Sequence, residues 1–189
     1  MEVIKAIQNR KSVRKFSSKK TDWRDVIECV DAARYAPMAG GNFSLKFIIV
    51  DDAEKIEKLS EAAQQNFVNQ TSHVIVVCSV PSRTVNAYGD QGEVYVRQQA
   101  GAAIQNILLA VEEKKMGACW VGYFVEGQVR SILGIPEDAH VEALIPVGYA
   151  SEARGTSSKK KSGPEMDRIL YFNKWKEKRM KPLKGITSA

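Results

Sequence analysis

The segment Arg10-Lys11-Ser12-Val13-Arg14 is the first place where residue types and spacing suggest chemistry. In an extended chain alternate side chains share a side, so Arg10, Ser12 and Arg14 point one way. Val13 and Phe16 then turn towards the core. Two guanidinium groups and a hydroxyl on one face suit a phosphate or the electron-rich edge of a ring. Other site chemistries lack their spacing. There is no GxxxxGK[ST] and no GxGxxG after a strand, so neither a P-loop nor a Rossmann dinucleotide site is supported. His73 and His140 lie far apart, and Cys29, Cys78 and Cys119 form no CxxC pair. Neither a metal site nor a Ser/His/Asp triad is expected from them. Cys119 and Trp120, inside an apolar run, are expected to pack in the core rather than to act in catalysis.

The elements that must position this segment follow from periodicity. Val3, Ile4 and Ile7 predict a short helix over 3–9. Thr21 is a candidate N-cap for a helix over about 22–35, with Val26, Ile27, Val30 and Ala33 on its buried face. Pro37 and Gly40-Gly41-Asn42 end it in a loop. Strands are predicted at Phe47–Asp51, His73–Val80, Ala118–Tyr123 and Val141–Tyr149. The β-branched run at 73–80 suits burial on both faces of a sheet. Pro146 suggests that the last strand is an edge or a strand end. Helices are predicted over 53–63, with a further helical piece to about 69, and over 93–115, 128–133 and 164–175. The longest carries Val96, Ala100, Ala103, Ile104, Ile107, Leu108 and Val111 on one stripe, and its small centre, 100–103, invites a close helix neighbour. Residues 82–92 look like a polar loop and are the one candidate lid.

The chain has 189 residues, 44% hydrophobic and 26% charged, which suits a single globular domain over 1–189. No apolar run is long enough to span a membrane and no secretory segment is seen, so a cytoplasmic protein is expected. The net charge of +6 is uneven. Residues 159–184 hold ten Lys/Arg against three acids, a net +7, while the rest is close to neutral. Such a segment suits nucleic acid, an anionic ligand or plain solvation. The tail 176–189 has no core pattern and is expected to dock on a second subunit.

Three further segments follow in order: Ala33-Arg34-Tyr35-Ala36-Pro37-Met38-Ala39-Gly40-Gly41-Asn42; Gly101–Ala110 leading to Met116-Gly117-Ala118-Cys119-Trp120-Val121-Gly122-Tyr123-Phe124; and Leu133-Gly134-Ile135-Pro136 leading to Ala143–Tyr149. With them, residues 2–175 resemble the nitroreductase family of FMN-dependent oxidoreductases. The resemblance implies an α+β, three-layer sandwich with a central mixed β-sheet and helices on both faces. It implies an intertwined homodimer with FMN at the interface. Arg10, Lys11, Ser12 and Arg14 match the segment that holds the FMN phosphate and the pyrimidine side of the ring. Val121 and Gly122 match the backbone that runs along the flavin, where an N–H reaches the hydride-accepting nitrogen. Lys160 and Lys161, in the run Lys159–Lys161, lie where the family reaches the phosphate. The loop departs from the family's Ala-Pro-Ser-x-Gly-Asn-x-Gln-Pro-Trp. Gly41 takes the asparagine's place without a gap, and Asn42 serves after a one-residue slip. The implied activity is hydride transfer from NADH or NADPH through flavin to a nitroaromatic, quinone or similar acceptor by a ping-pong cycle, with no essential side-chain nucleophile or acid/base. The alternatives are a flavin-binding sensor on the same fold, or nucleic-acid binding through the basic C-terminal segment.

Overall fold

A computed structural model describes residues 2–151 and 163–178. The chain divides into one unit through Ala153 and a second from Arg154 onward. In the first unit, the β-branched run HVIVVCS forms β2 (His73–Ser79), and every residue of it is buried. It lies between β1 (Leu45–Val50) and β4 (His140–Gly148), and the short β3 (Gly117–Ala118) adds to the other side of β4, giving the order β1-β2-β4-β3. All three ladders are antiparallel. The parallel pairing among the described residues is the bridge between Ser12 and Ala118.

Alternation along the strands splits the core into two layers. Ile75 and Val77 join Ala143, Ile145 and Val147 against α2 (Trp23–Asp31) and α5 (Gln91–Glu113). Val74, Val76 and Cys78 face Ile56, Leu59, Ala62 and Ala63 of α3 (Ala53–Ala63) and Val129 of α6 (Glu126–Leu133). Each fully buried Val or Ile contributes about 1.5–3 kcal/mol relative to an exposed one. The pairing shifts from Val77–Ala143 to Cys78–Val141, which leaves Glu142 as an extra residue. That bulge sends Val141 and Ala143 to opposite layers. Glu142 accepts a 2.6 Å hydrogen bond from Ser79 Oγ.

Several elements differ from the sequence expectation. Pro146 lies in an interior strand rather than at an edge. The Leu144 N–H points to the β3 side, where it donates to Val121 O. Position 146 faces the same side, beside the gap between the pairings of Ala118 and Val121. No ladder bond is lost there to the missing proline N–H. The predicted strand 118–123 accordingly shortens to β3 and the Val121–Leu144 bridge. Residues 82–92 are not a loop. They form α4 (Ser82–Tyr88) and the first turn of α5, and a Cβ at Gly92 would lie 2.7 Å from Thr84 O and Val85 Cα. Asp22, not Thr21, caps α2, by accepting from the Arg24 N–H at 2.8 Å. Ile27, expected in the core, is exposed, while Val26 and Ala33 are fully buried. The α5 stripe and the bounds of α3 are as predicted.

In the second unit, the predicted helix over 164–175 is reduced to α7 (Met166–Ile169). The Tyr171 and Trp175 rings lie 4.9 Å apart, and Lys178 Nζ stands 4.2 Å over the Tyr171 ring. Among the described residues, no helix is long and apolar enough to cross a membrane.

Candidate functional site

The chain leaves α1 (Val3–Asn9) at Arg10, whose N–H closes the helix on Ala6 O. It then lies along the sheet. The Val13 N–H donates to Ala118 O at 2.9 Å, and the Ser17 N–H to Tyr149 O at 2.8 Å. The Phe16 N–H donates to Gln70 Oε1 at 3.1 Å. Val13 and Phe16 are both buried; alternation accounts for Val13 alone, since Phe16 has the parity of Ser12 and Arg14 and turns inward against Gly148. Each fills a space left by a glycine. A Cβ at Gly117 would be 2.7 Å from Val13 Cγ2, and one at Gly148 would be 2.8 Å from Phe16 Cδ1. Arg14 and Lys11 are left exposed, with Arg10 and Ser12 half-buried. Arg10, Lys11 and Arg14 make no side-chain hydrogen bond or ion pair with any described residue. Three cations therefore stand on one stretch with no acid among the described residues to neutralise them.

The strand segment that grips Ser12 and Val13 continues to Val121 and Gly122. Val121 is three residues and Gly122 four residues beyond Ala118, so they lie at most roughly 11 Å and 14 Å along the chain from the residue that holds the cationic segment. Val121 is buried, and both its N–H and C=O pair with Leu144. Its amide is therefore spent. Gly122 is exposed, and its N–H finds no acceptor among the described residues. Of the two positions singled out in the sequence, only Gly122 keeps a backbone donor. Trp120, expected in the core, is 43% exposed instead. Its carbonyl side and Cys119 point inward while the indole stays out.

The Asn42 loop is built separately. A 3₁₀ turn over Ala39–Gly41 contains Gly40 at φ 55° and Gly41 at φ 73°. The first glycine also makes room for Tyr88, since a Cβ there would be 2.5 Å from its hydroxyl. The Asn42 N–H donates to Ala39 O, and Asn42 O accepts from Gln99 Nε2 at 3.4 Å. Gln99 Oε1 also accepts from the Ser44 N–H at 3.0 Å. The Asn42 side chain is left without a partner among the described residues. No hydrogen bond joins this loop to Arg10–Arg14 within the protomer. Gln99 was not foreseen as a positioning residue. Its signal was a polar side chain three residues after Val96 on an otherwise apolar stripe.

A model of the family described as "Nitroreductase family" matches residues 7–70 and 62–149. A protein of Archaeoglobus fulgidus, named provisionally as an NADH dehydrogenase/NAD(P)H nitroreductase, is 32% identical over 158 residues, covering 81% of this chain and 88% of its own length. A structure of a protein given the same provisional name, from Parabacteroides distasonis, superposes with a TM-score of 0.79 at 26% identity, covering 92% of this chain and 98% of that one. The NADPH:FMN oxidoreductase of Vibrio harveyi, solved with NAD+, shares the fold with a TM-score of 0.79 at 21% identity, covering 94% and 79%. The chain belongs to the nitroreductase family.

For a nitroreductase-family chain, the residues present fit FMN. A phosphate needs cations and hydroxyls that no acid has already claimed, and Arg10, Lys11, Ser12 and Arg14 meet that condition. A ring laid along Gly122 needs a backbone without a side chain, and nothing but Trp120 comes within 4 Å of a Cβ there. Lys160 and Lys161 lie outside the described residues. The remaining reactive groups are unsuited to covalent work. Burial pushes the Cys29 thiol up to about 12 and the Cys78 thiol up to about 11, so both stay protonated. Burial also lowers the pKa of His73, whose Nδ1 lies 2.7 Å from Thr21 Oγ1. Among the described residues, no three His, Cys, Asp or Glu side chains cluster as metal ligands.

Proposed function

We propose that this nitroreductase-family chain is an FMN-dependent oxidoreductase that passes hydride from NADH or NADPH to a small acceptor, a nitroaromatic or a quinone, in a ping-pong cycle. One observation carries the reading. The Ser12–Ala118 bridge holds three cations that no described acid neutralises, on the chain segment that leads to Gly122, whose N–H has no acceptor among the described residues. When bound, FMN supplies the centre that accepts and donates hydride. The chain supplies binding and orientation. Arg10, Lys11, Ser12 and Arg14 hold the phosphate and the pyrimidine edge, where positive charge favours electron density drawn into the ring. The Gly122 N–H donates to the ring nitrogen at the reacting edge.

A homodimer with the cleft between subunits belongs to the same proposal. Val3, Ile4 and Ile7, the residues whose spacing predicts α1, are 68%, 62% and 47% exposed, and only Ala6 of that helix is buried. Beside them a groove of about 490 Å3 runs between α1, α2 and α5, lined by Val3, Ala6, Tyr35 and Leu109 among others. An exposed apolar patch of this kind suits a partner surface. In such a dimer Asn42 reaches the flavin from the second subunit. A cytoplasmic location, with all three cysteines reduced, completes the reading.

The visible spectrum of the purified protein tests it, followed by NADH or NADPH added without oxygen. Flavin absorbance that bleaches on addition and returns with a nitroaromatic supports the proposal. Colourless protein whose thermal midpoint ignores added FMN ends it. Bound flavin that neither nicotinamide reduces would favour the sensor.

A further inference from the structure

Trp120 is the feature that the flavin reading leaves unused. The sequence places it in an apolar run, yet 43% of it is exposed, while its neighbours Cys119 and Val121 are buried. The reason is alternation. Val121 turns inward to the layer with Leu144, so Trp120 and Gly122 share the outward side. The indole spans two glycines. Its Cη2 lies 3.9 Å from a Cβ built at Gly101 of α5, and its Nε1 lies 3.8 Å from one built at Gly122. A Cβ at either glycine would rest in ordinary van der Waals contact with one end of the indole. A tryptophan usually gives its indole N–H an acceptor when it is buried. Here Nε1 has no acceptor among the described residues, and it stands next to Gly122, whose backbone carries no side chain to keep a flat ring away.

We infer that Trp120 is the specificity-determining residue for the acceptor, an aromatic wall with a free N–H donor that selects planar rings carrying an acceptor oxygen. A nitro group and a quinone carbonyl both fit that description: the ring stacks offset or edge-on against the indole, and the oxygen accepts from Nε1–H. An acceptor without a ring gains nothing from it. The inference rests on the flavin reading above, because Gly122 marks where the reacting edge lies.

The test compares wild type with W120F and W120L, using nitrofurazone and menadione as planar acceptors and ferricyanide as an acceptor that cannot stack. Bound flavin is read from the visible spectrum of each protein. W120L is expected to keep FMN and its kcat with ferricyanide. Its KM for both planar acceptors is expected to rise about 3- to 10-fold, the worth of an aromatic pair. W120F keeps a ring and loses the N–H, so a smaller rise is expected, about 2- to 5-fold. Wild-type protein that takes up no FMN ends the flavin reading itself. If W120L and W120F bind FMN and keep the wild-type KM for nitrofurazone and menadione, this inference alone fails. It fails equally if the KM for ferricyanide rises in step with the other two, or if both variants lose flavin, since the indole then serves the cofactor or the fold.

Discussion

The two faces of the sheet are finished differently. On one, α3 and α6 cover Val74, Val76 and Leu144, and Ile56, Leu59, Ala62 and Val129 are at most 2% exposed. On the other, α5 and α2 seal the middle, but the outer surface of the layer is left apolar: Val3, Ile4 and Ile7 on α1, Ile27 on α2, and Tyr35 beyond it. The first face is closed by its own chain. The second carries apolar surface that folding of the protomer does not consume. The candidate site sits at the β3 edge of the sheet, where the N-terminal segment is sewn onto Ala118 and Tyr149. Burial is thus concentrated on the face that the chain closes itself, and the proposed association and ligand contact fall where it does not.

The largest effect expected from breaking this contrast is on the closed face. Leu59→Ala should cost about 2–5 kcal/mol in urea unfolding, because a cavity is left that the surrounding residues cannot fill. Its mass in solution should not change. Next comes the edge. Arg10→Ala and Arg14→Ala should each weaken FMN binding by roughly 10- to 100-fold, the worth of about 1.5–3 kcal/mol of charge-assisted bonding. Their unfolding midpoints should stay near wild type, since neither side chain has a partner among the described residues. Unchanged flavin affinity in both would remove this segment from the site. Gly117→Ala should cost about 1–3 kcal/mol by pressing on Val13. It should also loosen FMN, because Val13 anchors the cationic stretch.

On the open face, Ile4→Asp with Ile7→Asp should leave protomer stability within about 0.5 kcal/mol. Light scattering should show dimer giving way to monomer. A double variant that unfolds instead would mean that α1 belongs to the protomer's own core. The smallest effect is a pH dependence. Burial keeps His73 below its ordinary value of 6.5, against the pull of Asp51 and Asp22. Above pH 6.5 both folded and unfolded forms are neutral, and the contribution is fully present. As pH falls from 6.5 towards the lower folded value, the unfolded state takes up the proton first and stability declines, levelling off beneath it. His73→Gln should flatten that slope in urea midpoints measured between pH 7.5 and 5.5.

The helix over 53–63, the α5 stripe and the buried run at 73–79 were legible because period and burial agree within one element. Val13 was legible for the same reason, and Phe16 by its apolarity alone. What failed depended on neighbours. Pro146 tolerates an interior strand because β3 lapses opposite it. Residues 82–92 form a helix because Gly92 lets α4 and α5 touch. Thr21 turned to His73 and left the cap to Asp22. These choices are set by contacts between residues far apart in sequence, which no local pattern encodes.

The site divides along the same line. The sequence by itself determined that two arginines, a lysine and a serine stand together after the first helix, and that a glycine follows the apolar run Ala118–Val121. Local residue order is enough for that. Only the tertiary structure decided that Ser12 pairs with Ala118, that Val121 spends its amide on Leu144 while Gly122 keeps its own, and that Trp120 stays outside. Each is a competition between distant partners for one hydrogen bond or one space, and it is settled when the strands pack.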